Sequence, residues 1–300
     1  ITRRNWEMDA SIDIRTYNEA KWLPDLLRAV QRQDLGSLSA ETVIVDSGST
    51  DRTLRIAEEH QCRVVHIRKE DFTFGRSLNV GCAAADGTAL VFISGHCIPV
   101  GKDWLANLIC PLLDGRAEYV YGHQQGHESS KYSEHQLFRK YYPERSAIPQ
   151  NDIFCNNANS ALLKAAWADH PFDETLTGLE DMELAKRLLA TGKRIGYVAD
   201  SSVIHIHEET WARVKNRYER EAIALQSVLP DVHVNFWDFL RYFLASVLLD
   251  SGQAIQDRAF TRHFGEIFMF RLMQYWGTYR GNHQHRRLSA QRKEAYFYPR

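Results

Sequence analysis

Short runs of β-branched residues alternate with helix-like segments through the first two hundred residues, and this alternation constrains the fold more than any other feature. Four such runs, each bounded by turn-forming or polar residues, predict strands: SIDIRT, ETVIVD, CRVVHI and TALVFI. Between them lie three segments with apolar residues at helical spacing: KWLPDLLRAVQRQ, DRTLRIAEEH and SLNVGCAAA. Strand–helix–strand alternation of this kind predicts an α/β fold with a mainly parallel sheet flanked by helices.

The length and charge of the chain exclude several classes of protein. The 300 residues suffice for one large α/β domain with an accessory segment, or for two modest domains. The net charge of -1 predicts no nucleic-acid partner. Five scattered cysteines without a CxxC pair favour a reducing compartment over a disulfide framework or a structural zinc site. The N-terminal segment lacks the apolar core of a signal peptide, and no apolar run approaches the roughly 20 residues that span a bilayer. We therefore expect a cytoplasmic protein.

Polar residues follow three of the four predicted strands. In open α/β sheets, ligands bind outside the carboxyl ends of the strands. One alternative is that these residues only form turns and helix caps, with Ser49, Thr50 and Asp51 capping the next helix. Their occurrence after three strands of one sheet favours a single ligand crevice. The three segments are Thr16-Tyr17-Asn18-Glu19, Asp46 through Asp51, and Ser94-Gly95-His96-Cys97.

The sequence becomes less regular from about Asp114 to Gln150. A polar stretch of this length, rich in His and Tyr, is typical of a functional loop, and residues 123–150 are a candidate acceptor lid. The next regular segment, LEDMELAKRLLATG, predicts a helix that ends at Gly192. The strand RIGYVAD then leads into SSVIHIHEET and a long charged helix, WARVKNRYEREAIALQ.

The last seventy residues differ in composition from the rest. Two aromatic and apolar segments, NFWDFLRYFLASVLLD and FGEIFMFRLMQYWGTYRG, precede a basic tail. We predict a domain over residues 1–228 and a helical C-terminal extension over 229–300. The helices either pack on the main domain or on a second copy of the chain, as in a homodimer, or they lie at a membrane surface. Arg241 and Arg271 interrupt the apolar runs, which argues against a membrane span.

Five motifs carry a more specific resemblance. The succession TYNEA, VDSGSTD, FTFGRSLNVG, FCNNANSAL and GLEDMELAKRL resembles family 2 glycosyltransferases, inverting enzymes of the GT-A type, over roughly residues 10–225. The resemblance implies a GT-A, Rossmann-like fold and a nucleotide-sugar donor. It also implies an acceptor hydroxyl on a glycan or lipid-linked saccharide, in the synthesis of polysaccharide, capsule or lipopolysaccharide. Such an enzyme would be cytoplasmic or peripheral at the inner face of the membrane.

The resemblance also implies a set of donor-binding residues. Asp46 would accept a hydrogen bond from a base N–H, although the second acidic position of the related DDGS loops is Ser47 here. Arg76 would pair with phosphate, the alternative being a surface salt bridge. The whole set comprises Thr16, Tyr17, Glu19, Asp46, Arg76, Asn79, Ser94 and His96.

The GLED segment supplies the catalytic candidates. The resemblance assigns Asp181 the role of general base, which takes the proton of the acceptor hydroxyl, and Glu180 would orient loops or acceptor. The alternative is that both acids only complement the positive end of a helix dipole. The acceptor would meet amides that can both donate and accept hydrogen bonds, those of Asn156, Asn157 and Asn159.

The fourth strand departs most from the family pattern. Relatives carry a DXD-like motif that binds a divalent cation such as Mn²⁺ or Mg²⁺, but residues 94–101 contain no carboxylate. Three explanations compete. His96 and Cys97 bind a softer metal; a metal sits on the donor phosphates and on His205 or His207, which share one strand face; or His96 and Arg76 neutralise phosphate without metal. The third suits a donor with one phosphate, such as a CMP-activated acidic sugar.

Two other functions remain as alternatives to glycosyl transfer. A nucleotidyltransferase would need a phosphate-gripping glycine- and basic-rich loop near its N-terminus, which TYNEAKWLPD does not supply. A non-catalytic nucleotide-sugar-binding protein is favoured by the missing DXD motif and disfavoured by the retained GLED segment.

Overall fold

The computed structural model describes residues 8–283, so most of the basic tail lies outside the described residues. The strands within this range are β1 (Ala10–Thr16), β2 (Ala40–Asp46), β3 (Arg63–His66), β4 (Ala89–Ser94), β5 (Cys97–Pro99), β6 (Tyr119–Gly126), β7 (Ala147–Gln150), β8 (Asn159–Leu163) and β9 (Ile195–His205). The helices are α1 (Leu23–Gln31), α2 (Thr53–Glu59), α3 (Phe74–Ala84), α4 (Trp104–Leu113), α5 (Tyr132–Tyr141), α6 (Lys164–Asp169), α7 (Glu180–Ala190), α8 (Trp211–Val228), α9 (Phe236–Gln256) and α10 (Phe260–Asn282).

The predicted strands and helices of the first ninety residues form where the hydrophobic pattern places them. The four predicted strands are β1 to β4, and the three predicted helices are α1 to α3. Local signals set the helix ends: a proline occupies the first turn of α1, and the Thr73 side chain accepts a hydrogen bond from the backbone N–H of Arg76 at the start of α3. Gly192 follows α7 with a φ of 77°, a conformation that glycine adopts without strain.

The strands form one mixed sheet in the order β3-β2-β1-β4-β8-β6-β9-β5, with β7 pairing to β9. The predicted parallel pairing holds for β1 with β2, β1 with β4 and β2 with β3. The later strands join antiparallel, as in the pairs β4–β8, β6–β8 and β5–β9. Hydrophobic periodicity identifies a strand but does not say whether it pairs parallel or antiparallel. That depends on the connection to its neighbour in the sheet, which the periodicity of the strand does not contain.

The hydrophobic core of the sheet lies where its inner strands meet α1 and α4. Ile12 and Ile14 of β1 and Val91 of β4 are buried in one cluster with Leu26 and Trp104 from the two helices. Burial of this apolar surface fixes the parallel strands β1, β2 and β4 side by side. Their carboxyl ends consequently open at the same edge of the sheet.

The expectation of an irregular segment from Asp114 to Gln150 is wrong for much of its length. The segment contains β6, α5 and β7. The misleading signal was its polarity, because several of its polar side chains, including Gln124 and Glu134, are buried and bonded inside the protein. Polar residues with buried partners do not interrupt a strand or a helix.

The chain divides into two compact units. The first comprises the chain up to Gln125 together with Tyr142–Thr175 and Glu180–His205, and it contains the sheet. The second comprises Gly126–Tyr141, Leu176–Leu179 and the chain from Ile206 onward. The predicted C-terminal helices α9 and α10 belong to the second unit, and the boundary predicted after residue 228 stays a prediction.

Close helix packing holds the second unit together. α10 approaches α8 at Gly277 and Gly281, where an added Cβ would lie 2.4 Å from the Lys215 carbonyl oxygen and 2.2 Å from that of Glu219. Arg271, which interrupts the apolar pattern of α10, is buried and donates to both carboxylate oxygens of Asp250 at 2.7 and 2.9 Å. None of the described helices combines the length and the apolar character needed to cross a membrane.

Candidate active site

Asp46 connects the loops that follow β1 and β2. Its carboxylate is fully buried and accepts hydrogen bonds from the Thr16 hydroxyl at 3.0 Å and from the backbone N–H groups of Gly48 and Ser49 at 3.0 and 2.9 Å. The Ser49 hydroxyl is a fourth donor. Charge-assisted bonds of this number hold the carboxylate firmly at the carboxyl edge of the sheet.

Asn18 and Glu19 extend this connection along the loop after β1. Asn18 adopts a φ of 57°, donates its N–H to the Ser49 hydroxyl and accepts from the Thr50 N–H at 2.8 Å. The Glu19 N–H donates to the Thr53 hydroxyl at 2.8 Å. Ser49 and Thr50 therefore bond across to the first loop rather than capping α2, whose N-cap residue is Arg52. Two of the three predicted loops are thereby joined.

His96 brings the third loop to the same place. Its Nδ1 lies 3.0 Å from Oε1 of Glu19. Gly95 permits this approach, because a Cβ at that position would lie 2.8 Å from Cγ of Glu19. Cys97 points instead into the hydrophobic core, where burial raises the pKa of its thiol far above the ordinary value. A protonated, buried thiol is a poor metal ligand, which weighs against the pairing of His96 with Cys97.

His205 at the end of β9 stacks on His96 with ring centroids 5.3 Å apart. Its Nδ1 lies 2.8 Å from the amide oxygen of Gln124, and the Gln124 amide nitrogen donates to Asn156 Oδ1 at 3.1 Å. Because an amide oxygen only accepts, His205 donates its Nδ1–H to Gln124. The sequence offered no signal for Gln124, whose partner is eighty-one positions away.

Asp181 lies in the first turn of α7 and is almost fully buried. One carboxylate oxygen accepts from the Asn157 N–H at 3.0 Å and the other from the N–H of Met182 at 2.8 Å. Burial, followed by the negative charge of Glu180, raises the pKa of Asp181 to about 7. A carboxyl group with such a pKa exchanges its proton near neutral pH.

Arg15 is the charged neighbour that the sequence reasoning missed. Its Nη1 lies 3.6 Å from Oε1 of Glu180, and its guanidinium carbon lies 5.8 Å from the centre of the Phe74 ring. The signal was available, because Arg15 and Asp13 are charged residues within a strand whose other positions are apolar or small. Asp13 is buried, and burial raises its pKa to about 8. Neither of its carboxylate oxygens has a hydrogen-bond partner among the described residues.

The three predicted acceptor amides occupy structural positions beside β8. Asn157 is buried and accepts from the Tyr119 hydroxyl and from the Ser160 hydroxyl. Asn159 is fully buried and bonds to Trp104 Nε1 and to two carbonyl oxygens. Asn156 uses Oδ1 for the Ala158 N–H as well as for Gln124. This placement favours a role in shaping the loop, and direct contact with an acceptor stays a prediction.

The remaining predicted donor residues differ in their surroundings. Arg76 is exposed in the first turn of α3. Asn79 donates to the Phe172 carbonyl oxygen and to Glu174, and its Oδ1 accepts from Trp167 Nε1 and the Phe172 N–H. These four bonds tie α3 to α6 and to the segment that follows it. Tyr17 lies under the ammonium group of Lys69 at 5.5 Å, and Ser94 is half-buried at the end of β4.

A model of the family described as glycosyl transferase family 2 matches residues 11–170, which is more than half of the chain. The chain belongs to glycosyl transferase family 2. The matched segment contains Asp46, His96 and Asn157, and it ends before Asp181. The predictions of family and of a glycosyltransferase are thereby confirmed.

Similar proteins of the family are named for sugar transfer. The O-antigen chain rhamnosyltransferase RfbN of Salmonella typhimurium is 24% identical over 223 residues, 70% of either chain. The O-antigen chain rhamnosyltransferase WbaN of Salmonella anatum is 28% identical over 218 residues, 68% of either chain. The poly(ribitol-phosphate) β-N-acetylglucosaminyltransferase TarS of Staphylococcus aureus is 21% identical over 88% of this chain, which spans only 45% of TarS.

Solved structures confirm the predicted GT-A fold. The mannosyltransferase PcManGT of Pyrobaculum calidifontis, in complex with GDP-Man and Mn²⁺, matches with a TM-score of 0.64 at 14% identity, over 91% of this chain and 86% of its own. Residues 1–349 of S. aureus TarS in complex with UDP-GlcNAc match with a TM-score of 0.55 at 16% identity, over 93% of either chain. At these identities the likeness concerns the fold alone.

The first unit of this family 2 member offers donor atoms suited to a divalent cation despite the missing acidic motif. Glu19 places a carboxylate oxygen beside His96, and His205 stacks on the same ring. Oxygen and imidazole nitrogen together suit Mn²⁺ better than a site of nitrogen alone. Glu19 is the hydrogen-bond partner of His96, so the imidazoles of His96 and His205 are the ligand candidates that the first unit brings together.

His207, the other predicted metal ligand, has a hydrogen-bond partner in the second unit, and its role as a ligand stays a prediction. Its Nδ1 lies 2.7 Å from Oε1 of Glu134, which also accepts from Arg217 at 2.8 Å. Burial by itself would raise the pKa of Glu134, but the contacts with His207 and Arg217 lower it to about 2. Glu134, His207 and Glu209 have ligand atoms within 4.8 Å of one another, but Arg217 already pairs with both carboxylates. The guanidinium of Arg217 therefore supplies the positive charge beside Glu134 and Glu209.

Proposed function

We propose that this family 2 enzyme is an inverting glycosyltransferase that moves a sugar from a nucleotide-activated donor to a hydroxyl of a glycan or lipid-linked saccharide. Asp181 is the general base, and its surroundings carry the proposal. The carboxyl group is buried beside Glu180, and its pKa is raised to about 7. A base with a pKa near the working pH combines a large ionised fraction with a strong affinity for a proton.

The reaction proceeds in one displacement. Asp181 takes the proton of the acceptor hydroxyl as that oxygen attacks the anomeric carbon, and the bond from this carbon to the nucleotide phosphate breaks. The attack and the departure occur on opposite faces, so the anomeric configuration inverts. The phosphate leaves as a stable anion, and no second carboxylic acid is needed to protonate it. Glu180, held beside Arg15, sets the charge around the base.

The joined loops after β1, β2 and β4 bind the donor. Asp46 and Thr16 hold the loop edge against the base and ribose, with Tyr17 beside the base. Glu19, Ser94 and His96 lie toward the diphosphate. Arg76 pairs with phosphate, and Asn79 supports that segment through its bonds to residues 172–174. The exposure of Arg76 beside an otherwise buried helix start supports the assignment.

A divalent cation, Mn²⁺ or Mg²⁺, would be held by the donor phosphates and by the imidazoles of His96 and His205, and it would supply positive charge to the departing diphosphate. The competing proposal is a metal-independent transfer from a CMP-activated acidic sugar, in which His96 and Arg76 compensate the single phosphate. The Mn²⁺ in the PcManGT complex supports the first proposal, and the missing acidic motif supports the second.

The names of the relatives support an acceptor in polysaccharide synthesis. RfbN and WbaN are named as O-antigen chain rhamnosyltransferases, and TarS acts on poly(ribitol-phosphate) according to its name. We place the acceptor hydroxyl at Asp181, with the loop of Asn156, Asn157 and Asn159 shaping that side of the site. The competing function is that of a non-catalytic nucleotide-sugar-binding protein.

The test combines binding and transfer. Thermal shifts of the purified chain with UDP, GDP, dTDP, CMP and CDP, each with Mn²⁺ or with EDTA, identify the nucleotide, because a ligand that binds only the folded state raises its stability. The matching nucleotide sugars are then incubated with a lipid-linked oligosaccharide extract, and NMR determines the anomeric configuration of the product. We expect inversion, and Asp181→Asn should keep the nucleotide shift while losing transfer. Retention of configuration would overturn the mechanism, and a nucleotide shift without transfer by the unmodified protein would favour the binding protein.

A further inference from the structure

The solvent face of α9 is unusually apolar. The side of a surface helix that faces away from the core is normally polar, but here it carries Trp237, Leu248 and Leu249 with 76%, 72% and 74% of their surface exposed. Leu244 and Ile255 are exposed by 55% and 61%. A contiguous set of exposed large apolar residues marks an interaction surface more often than a single one does.

The exposed residues form a stripe opposite the buried face of α9. Trp237, Leu244, Leu248 and Ile255 follow one another at intervals of seven, four and seven residues, so they project from one side of the helix. The buried residues Phe239, Phe243, Val247 and Ala254 occupy the other side and form a hydrophobic cluster with α10. The requirements of the core therefore do not explain the stripe.

Three exposed arginines belong to α9 and to the segment that follows it. Between Phe236 and Gln256 the acids are Asp238, which is mostly covered and pairs with Arg241, and Asp250, which is buried with Arg271. The Arg241 side chain remains 67% exposed. Arg258 is exposed in the turn before α10, and Arg262 is exposed in its first turn.

One exposed acid, Asp257, also lies in that turn. Its carboxylate accepts hydrogen bonds from the Tyr132 hydroxyl at 2.7 Å and from the Gln253 amide at 3.0 Å. The solvent face of α9 thus combines aliphatic side chains and Trp237 with arginines in α9 and in the segment that follows it.

We propose that the solvent face of α9, defined by Trp237, Leu244, Leu248, Leu249 and Ile255, binds the surface of an anionic lipid bilayer. The helix lies in the interface, with its leucines among the upper acyl carbons and Trp237 at the headgroup level. Arg241, Arg258 and Arg262 contact the phosphate groups of anionic lipids. A second copy of the chain fits this surface less well, because a two-fold contact would bring the arginines of both copies into one interface.

This binding does not depend on the proposed sugar transfer, and it is measured without donor or acceptor. The full chain is floated on a density gradient with vesicles of phosphatidylcholine alone or with an equal part of phosphatidylglycerol. We expect flotation with the anionic vesicles. Replacing Trp237, Leu248 and Leu249 together by serine should reduce partitioning at least about tenfold, since each buried apolar side chain contributes substantially to the transfer free energy.

The arginines are tested separately from the apolar stripe. Arg241→Gln and Arg258→Gln should each reduce binding to anionic vesicles by roughly fivefold and weaken its dependence on salt. The matched control replaces Val100 and Leu113, exposed by 40% and 38% in the first unit, by serine. This control should float like the unmodified chain. Circular dichroism and thermal unfolding establish that all variants are folded.

Depth of insertion is measured by quenching of tryptophan fluorescence with brominated lipids. Trp237→Phe keeps an apolar ring and should remove most of the quenching while leaving flotation nearly unchanged. Failure of the unmodified chain to float with anionic vesicles, or equal flotation of the triple serine variant, would overturn the proposal. It would also be overturned by a dimer in light scattering that the triple serine variant converts to a monomer without any vesicle binding.

Discussion

Asp46 and Asp181 are both buried carboxylates of the first unit, and their surroundings differ sharply. Asp46 accepts four hydrogen bonds from the loops that it connects. Asp181 accepts two, one of them from the next residue in the chain, and has the acid Glu180 beside it. The pKa of a buried acid depends on more than its burial. The number of hydrogen-bond donors around the carboxylate and the sign of the nearest charge also contribute.

The difference separates the connecting role of Asp46 from the catalytic role proposed for Asp181. The carboxylate of Asp46 holds the loops after β1 and β2 in one arrangement through its four hydrogen bonds. The carboxyl group of Asp181 accepts fewer hydrogen bonds, and burial together with the charge of Glu180 raises its pKa to about 7. Four measurements test this contrast.

The largest expected effect is on transfer by Asp181→Asn. An amide cannot take the proton of the acceptor, so kcat/KM should fall by about 10²- to 10⁴-fold. The assay is initial-rate transfer with the donor identified by thermal shift, and Glu183→Gln, on the same helix, is the matched control. Activity within a few fold of the unmodified enzyme would remove Asp181 from the role of base.

Asp46→Ala should cost stability instead. The substitution removes the shared acceptor of the Thr16 and Ser49 hydroxyls and of the Gly48 and Ser49 N–H groups, and we expect a loss of about 1–3 kcal/mol in the free energy of unfolding. Urea denaturation measures this loss, with the exposed Asp114→Ala as the control. A variant of normal stability that fails to bind nucleotide would show that Asp46 acts only through the ligand, and the contrast with Asp181 would be lost.

Asp181→Asn should also stabilise the fold, increasingly so at higher pH. The folded-state pKa of Asp181 is about 7, above the ordinary value of 3.8, so the folded protein loses stability as pH rises through this interval. The variant lacks this loss, and its advantage over the unmodified protein should grow by about 2 kcal/mol between about pH 5 and about pH 8. Urea unfolding at both pH values gives the difference. A constant difference would mean that the pKa of Asp181 is not raised.

The smallest expected effect is a shift of the pH profile in Glu180→Gln. The charge of Glu180 raises the pKa of Asp181, so its removal should lower that pKa and move the rising limb of kcat/KM to lower pH by about one unit or less. Arg15→Met should move the limb in the opposite direction, because Arg15 lowers the same pKa. If the rising limb moved in the same direction in Glu180→Gln and Arg15→Met, the electrostatic explanation of the pKa of Asp181 would be contradicted.

Local pattern was sufficient for the first half of the sheet. The β-branched runs, the proline at the start of α1 and the glycine after α7 act through neighbouring residues, so they can be recognised without a partner. The carboxyl-end rule then places Thr16, Asp46 and His96 at one edge, and the structure joins their loops through Asp46 and Glu19. The same reasoning failed between Asp114 and Gln150. The strand β6 and the helix α5 contain polar side chains whose hydrogen-bond partners lie inside the protein, so their sequences resemble those of an exposed loop.

The sequence predicted the strands and helices of the parallel half, the placement of three polar loops at one sheet edge and the position of Asp181 at a helix start. The order of the strands, the contact of Arg15 with Glu180, the hydrogen bond of Gln124 to His205 and the raised pKa of Asp181 appear only in the folded structure. Desolvation and charge coupling depend on distances between residues far apart in the chain, such as Asn157 and Asp181. Residue spacing along the chain contains no such distances, because they arise when the sheet and its helices pack together.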